Sequence, residues 1–165
     1  MPLLMHTYLV GDIFTEVIKI SYCSRYILVL EPHNLRPSLS DMLRPSMQTL
    51  KHIVVIFHNV DDRDDSLLGI PSEFEDMGTK NIIETVTIGI LLRMYASYRL
   101  DGDDWRRLDE ILTSPGWISL KRVSLAIEIP GNSTGDSELK KALRNRFPRL
   151  SSSNSDLLDI FLLAS

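Results

Sequence analysis

Asp103-Asp104-Trp105-Arg106-Arg107-Leu108-Asp109-Glu110-Ile111-Leu112-Thr113-Ser114-Pro115-Gly116-Trp117-Ile118-Ser119-Leu120-Lys121-Arg122-Val123-Ser124-Leu125-Ala126-Ile127-Glu128-Ile129-Pro130 holds two periodicities in one stretch. Trp105, Leu108, Ile111 and Leu112 fall on one face of a helix. Asp103 or Asp104 is placed to cap it, because a short carboxylate accepts bonds from the free N–H groups of a first turn. Pro115-Gly116 ends it. From there the pattern changes to period two. Val123, Leu125 and Ile127 point one way, and Arg122, Ser124, Ala126 and Glu128 the other, as in a strand with two different faces. Pro130 stops the ladder. Helix, turn and strand thus form one unit.

The strand wording recurs. Leu50, Ile53 and Val55 align with Ile83, Val86 and Ile88, then with Leu120, Val123 and Leu125, then with Leu157, Ile160 and Leu162. The spacings are 33 residues (83 − 50), 37 (120 − 83) and 37 (157 − 120). A leucine, two variable residues and alternating aliphatics is the strand core of a leucine-rich repeat, here at a period longer than usual. Strand followed by helix at near-constant period predicts an α/β fold, an irregular leucine-rich-repeat-like solenoid with a parallel sheet of four or five strands and helices on its outer side. Residues 1–165 read as one such domain.

Elsewhere the signals are uneven. Ile13, Phe14, Val17, Ile18 and Tyr22 fit one face of a short helix, Val17 to Tyr22 fits a strand equally well, and Tyr26 to Leu30 reads as a strand. Pro37 suits the start of a helix carrying Leu39, Met42 and Leu43, which Pro45 breaks. Leu50 to Phe57 is a strand, and its run Ile53 to Phe57 suggests cover on both faces. Residues 61 to about 80 read as a polar loop, 82–90 as a strand, and 91–102 as a connection or as strand continuing into loop. A polar turn follows at 131–136. Glu138 to Arg146 reads as a helix with Leu139, Ala142 and Leu143 inward. Ser151 to Ser155 reads as a linker, and Leu157 to Leu163 as the last strand. Leu108, Leu112, Leu120, Val123, Leu125 and Ile127 are the expected core.

The string Asp104 to Leu112 followed by Gly116 to Leu125 resembles the C-terminal, leucine-rich-repeat-like part of F-box proteins of mushroom-forming fungi. Trp105, Leu108, Asp109, Leu112, Leu120 and Val123 occupy the positions that carry the resemblance. It is clearest over residues 80–165. It implies a protein-interaction module, the substrate-receptor part of a ubiquitin-ligase adaptor. Asp12 to Ile18 is similar to the first F-box helix, but the Leu-Pro lead-in and the later helices of that box are missing. The chain therefore reads as a truncated relative without a clear F-box.

Composition narrows the alternatives. A 44% hydrophobic and 24% charged chain is ordinary for a water-soluble domain. A net charge of −4 draws it neither to nucleic acid nor to anionic lipid. The one cysteine, Cys23, allows no intrachain disulfide and points to an intracellular setting, cytoplasmic or nuclear. No signal peptide is legible, and Asn132-Ser133-Thr134 reads as a polar turn. No membrane partner is expected.

Candidate chemistry is sparse. His6, His33, His52 and His58 show no metal-ligand spacing. Asp61 and Asp62 follow a strand, and with Glu31 and Glu128 they could hold magnesium in a small doubly wound hydrolase or phosphotransferase, the alternative reading. No Gly-rich phosphate loop accompanies them. Lys140, Lys141, Arg144, Arg146 and Arg149 suit the C-terminal end of a helix. Trp105 and Trp117 read as packing residues. No cofactor and no catalysis are expected. The expected binding surface is the sheet face that alternates with the core: His52, Val54, Ile56, Thr85, Thr87, Arg122, Ser124, Glu128, Asp159 and Phe161, facing a protein partner. Self-association through an uncapped N-terminal sheet edge is a further expectation.

Overall fold

The computed structural model describes residues 8–10, 13–20, 25–30, 39–60, 67, 69–78, 81–92, 102–129, 136–152 and 157–164. The described strands form one seven-stranded sheet in sequential order. They are β1 (Tyr8–Val10), β2 (Ile13–Ile20), β3 (Arg25–Leu30), β4 (His52–Val60), β5 (Thr85–Leu92), β6 (Arg122–Ile129) and β7 (Leu158–Ala164). β3 to β7 run parallel, while β1 and β2 add antiparallel to the side of β3. The open choice between helix and strand resolves as a strand for the described residues 13–20. β2 pairs the outer side of β3, so the N-terminal end of the described sheet is β1. Among the described strands the order never reverses, and a reversal is the feature a doubly wound sheet needs.

The described helices are α1 (Leu39–Leu43), α2 (Ile70–Met77), α3 (Asp103–Leu112), α4 (Asp136–Arg146) and α5 (Pro148–Ser152). Short 3-10 turns follow α1 and α3, at Arg44–Ser46 and Pro115–Trp117, each with proline in its first turn, where the missing N–H costs nothing. All five helices contribute to a single core. Leu39, Phe74, Trp105, Leu143 and Leu150 meet Ile53 and Val55 of β4, Val86, Ile88 and Ile90 of β5, Val123, Leu125 and Ile127 of β6, and Leu158 and Ile160 of β7. Within each strand these residues share one parity, so the described helices cover one face of the sheet. On the other face Val54 and Ile56 are only half-buried. The expectation that β4 is covered on both sides is therefore not met: its apolar run reflects one packed and one open face.

Several details depart from the local pattern. The cap of α3 is Gly102, in extended backbone conformation. Asp103 and Asp104 lie inside the first turn, where negative charge meets the positive helix end. Leu120 is half-buried rather than core, and Ala142 is exposed, while Phe147 just past α4 is fully buried. The region read as a polar loop contains α2, whose Ile70, Phe74 and Met77 are buried at i, i+4 and i+7. Ser151 and Ser152 end α5 instead of opening a linker. Asp109 explains why that helix forms. Its carboxylate, 1% exposed, accepts the N–H groups of Arg149 and Leu150, each at 3.0 Å, which satisfies two donors that the first turn of α5 cannot pair internally. Side chains of neighbouring units also brace α1, where the Ser40 N–H donates to Glu73 Oε2 at 3.1 Å.

The ladder keeps the predicted steps between β4, β5 and β6, with Ile53 beside Val86 and Val86 beside Val123. At β7 it differs. Val123 lies beside Leu158 rather than Ile160, so the last step is 35 residues (158 − 123). A slip of two leaves every side chain on its own face, so the hydrophobic pattern could not detect it. Leu125, 1% exposed, sits in the middle of the buried sheet face. Leu125→Ala is expected to cost about 2–5 kcal/mol, read from urea unfolding. An unchanged midpoint would mean that β6 turns its other face to the helices.

Candidate functional site

The uncovered face is built from the residues that alternate with the core. Because parallel neighbours are in register, it reads as rows crossing the strands. One row is His52, Thr85 and Arg122. The next is Val54, Thr87, Ser124 and Asp159. A third is Ile56, Gly89, Ala126 and Phe161, and beyond it Glu128 lies beside Leu163. All ten residues expected on this face are on it, and each is half-buried or exposed. Gly89, Ala126 and Leu163 share it; of these, Leu163 was not read from the sequence as part of this face. Its parity alone was the available signal.

The rows differ in chemistry. A hydrogen bond joins His52 Nδ1 and Thr85 Oγ1. Arg122 Nε meets Asp159 Oδ2 at 3.1 Å across β6 and β7. The third row is apolar, with small residues between larger ones. A Cβ on Gly89 would touch Ile56 Cγ1 at 3.4 Å, so the Ile56 side chain leans over Gly89. At the far side Phe161 is 50% and Leu163 51% exposed. Polar pairs at one end and apolar surface at the other suit recognition of a second macromolecule.

A separate charged row lies where β4, β5 and β6 begin. Glu84 accepts from Lys51 Nζ at 2.9 Å and Lys121 Nζ at 2.7 Å. The hydrogen bond from Lys121, then that from Lys51, hold its carboxyl well below the usual 4.5, at about 2, with burial opposing them. Its folded pKa is therefore depressed relative to the unfolded chain. The stability it contributes is present above pH 4.5 and is lost as pH falls toward 2. Glu84→Gln should flatten the fall in melting temperature across that window. An identical pH profile for the variant would show that the lysines do not hold the charge.

Other candidates resolve into packing or fall outside the described residues. Trp105 and Trp117 are buried and pack on Phe147 and Phe74 respectively. Lys140, Lys141, Arg144 and Arg149 are exposed, and Arg149 reaches Glu110 at 3.6 Å. Cys23, Glu31, His6, His33, Asp61, Asp62 and the 132–134 sequon lie outside the described residues, as does the side chain of His58. Among the described residues no group of three His, Cys, Asp or Glu side chains could hold a metal ion. No described helix is long and apolar enough to cross a membrane.

Asn81 and Asp109 are the two buried polar residues among those described; neither Asn81 nor the capping role of Asp109 was read from the sequence. Asn81 donates from Nδ2 to Met77 O and Gly116 O, both at 3.1 Å, and accepts the Ile83 N–H at 3.1 Å. It ties one helix end, the next turn and a strand start together. Comparison of the chain with protein-family models, with curated proteins and with solved structures finds no match.

Proposed function

We propose that this chain is a protein-interaction module of leucine-rich-repeat-like solenoid type, without catalysis of its own, that binds a partner protein on the open sheet face. One observation carries the reading. The described helices all lie on one side of a sheet whose strands follow in sequence, and the opposite face presents in-register rows of mixed polar and apolar side chains. In a stacked array of strand–helix units such a face gives an extended surface on which alternate side chains read a partner. The resemblance to fungal F-box proteins narrows the role to the substrate-receptor part of a ubiquitin-ligase adaptor.

The test is affinity capture from a fungal lysate with the wild-type chain, with Thr87→Arg/Ser124→Glu, and with the helix-side variant Glu75→Lys. Thr87 and Ser124 are adjacent in the middle row and half-buried. Glu75 is exposed on α2, on the opposite side. The expected result is a set of specific partners kept by Glu75→Lys and lost by the double variant while it melts normally. A captured set that the double variant leaves unchanged would remove the open face from consideration.

A further inference from the structure

The two edges of the sheet are unlike. At one end β1 offers three residues, Tyr8–Val10, and a very short edge strand templates little pairing. At the other end β7 runs for seven residues, Leu158–Ala164, and among the described residues it pairs β6 alone. Natural edges are commonly blunted by proline, lysine or a bulge. The β7 sequence Leu-Asp-Ile-Phe-Leu-Leu-Ala has neither proline nor lysine. Its single charge, Asp159, is engaged by Arg122. Half-exposed Phe161 and Leu163 stand beside a strand side that pairs with no other strand among the described residues.

We propose that β7 pairs antiparallel with β7 of a second copy, so that the sheet continues across a twofold axis. The strand's own hydrogen bonding fixes the register. Val123 N–H donates to Leu157 O at 2.6 Å, and Val123 lies beside Leu158. In the parallel pattern Leu157, Asp159, Phe161 and Leu163 therefore turn their backbone groups toward β6, and Leu158, Ile160, Leu162 and Ala164 turn theirs outward. An antiparallel partner must match outward residues with outward residues. Centring the axis on Phe161 matches all four: Ile160 faces Leu162 of the second copy, and Leu158 faces its Ala164. Centring on Ile160 leaves Ala164 without a match in β7, and centring on Leu162 leaves Leu158 without one.

The same register is self-complementary in its side chains. Phe161 meets Phe161 of the second copy at a non-hydrogen-bonded position, where side chains come closest, and an aromatic pair there is favourable. Asp159 faces Leu163 of the second copy, so no like charges oppose each other. Such an isologous contact closes on itself and stops at a dimer. The apolar row Ile56, Gly89, Ala126 and Phe161 then runs on into the second copy, and the open face doubles in width. This inference rests on the strand edge and its backbone, not on partner binding by the face.

Sedimentation velocity on the purified chain over a wide concentration range tests it. The expected result is a dimer that both Leu162→Pro and Phe161→Lys convert to monomer with unchanged circular dichroism. Proline at 162 removes an outward N–H and leaves the β6 ladder intact. Lysine at 161 sets two cations against each other across the axis. In a Cys23→Ser background, Phe161→Cys should form an intermolecular disulfide on mild oxidation, whereas Leu163→Cys, facing Asp159, should not. If Leu162→Pro unfolds the chain, the lysine and cysteine variants decide. Three results would each overturn the proposal: a wild-type chain that is monomeric throughout, a dimer that Phe161→Lys leaves intact, or a Leu163→Cys variant that cross-links as well as Phe161→Cys.

Discussion

Trp105→Ala is expected to lower the unfolding free energy by about 3–5 kcal/mol, the range for removing a large buried aromatic side chain. Trp105 is fully buried on α3. Its ring meets Phe147 edge-on, with centroids 5.7 Å apart and planes at 87°. Phe147 lies between α4 and α5, so this one contact joins the third helix to the last two. Truncation would leave a cavity that rigid helices cannot close. Domains of this size are held by about 5–15 kcal/mol in total, so the loss would remove a large share of the stability. The Trp105 Nε1–H, buried without a hydrogen-bond partner among the described residues, adds a contrast. Trp105→Phe discards that donor and keeps an aromatic ring against Phe147, so its cost should be clearly the smaller. Urea unfolding of the two variants measures the difference. An alanine variant within about 0.5 kcal/mol of wild type, as at an ordinary surface site, would place Trp105 outside the core, and equal large losses would mean that an aromatic ring against Phe147 contributes nothing by itself.

The second large effect is expected at Gly116. A Cβ there would stand 1.9 Å from the carbonyl oxygen of Gly78 and 2.7 Å from its carbonyl carbon. Both obstacles are backbone, so no side-chain rotation relieves them. The turn after α3 and the C-terminal end of α2 must separate, and three contacts depend on that approach. Asn81 Nδ2 donates to Gly116 O, Trp117 Nε1 donates to Phe74 O at 3.3 Å, and the Trp117 ring packs on Phe74 with centroids 5.3 Å apart. Overpacking alone costs about 1–3 kcal/mol, and leaving one N–H of the buried Asn81 amide without its Gly116 acceptor adds roughly 1–3 kcal/mol. Gly116→Ala should therefore approach the tryptophan truncation in effect. At Gly78 a Cβ would stand 3.1 Å from Trp117 Nε1 and 3.3 Å from Glu75 O, tight but far from the 1.9 Å overlap at Gly116, so Gly78→Ala should be milder. Thermal unfolding of the pair checks the ranking, and a silent Gly116→Ala would mean that the two units are not in backbone contact.

Much of the architecture was legible because it is local. Trp105, Leu108, Ile111 and Leu112 declare a helix by spacing alone, and Pro115-Gly116 its end. Val123, Leu125 and Ile127 declare a strand with one buried face. The near-constant step between like strands is enough to expect a parallel sheet with neighbours in chain order. The open face followed from the same parity, since whatever alternates with a core position must lie opposite it. That is why all ten residues proposed for partner binding were found there. Their role in binding depends on a second molecule, which neither spacing nor packing specifies.

What tertiary structure decided was cover, register and the polar joints. Residues 53–57 taken alone satisfy either parity and suggested cover on both sides; the repeat alignment turned Ile53 and Val55 inward, and only the folded chain shows the face of Val54 and Ile56 left half-exposed. Helix α2 was hidden among acids and glycine; it gains its stability from Ile70, Phe74 and Met77 meeting the sheet, not from its own propensity. Helix α5 owes its first turn to Asp109, 40 residues away in sequence from Arg149, and a serine run without that cap reads as a linker. The register of β7 moved by two residues without changing a face, so hydrophobic pattern alone does not set it. Asn81 and Glu84 are ordinary polar letters in the sequence. Only the folded chain, by bringing the starts of three strands side by side, makes one a buried tie and the other a carboxylate held between two lysines.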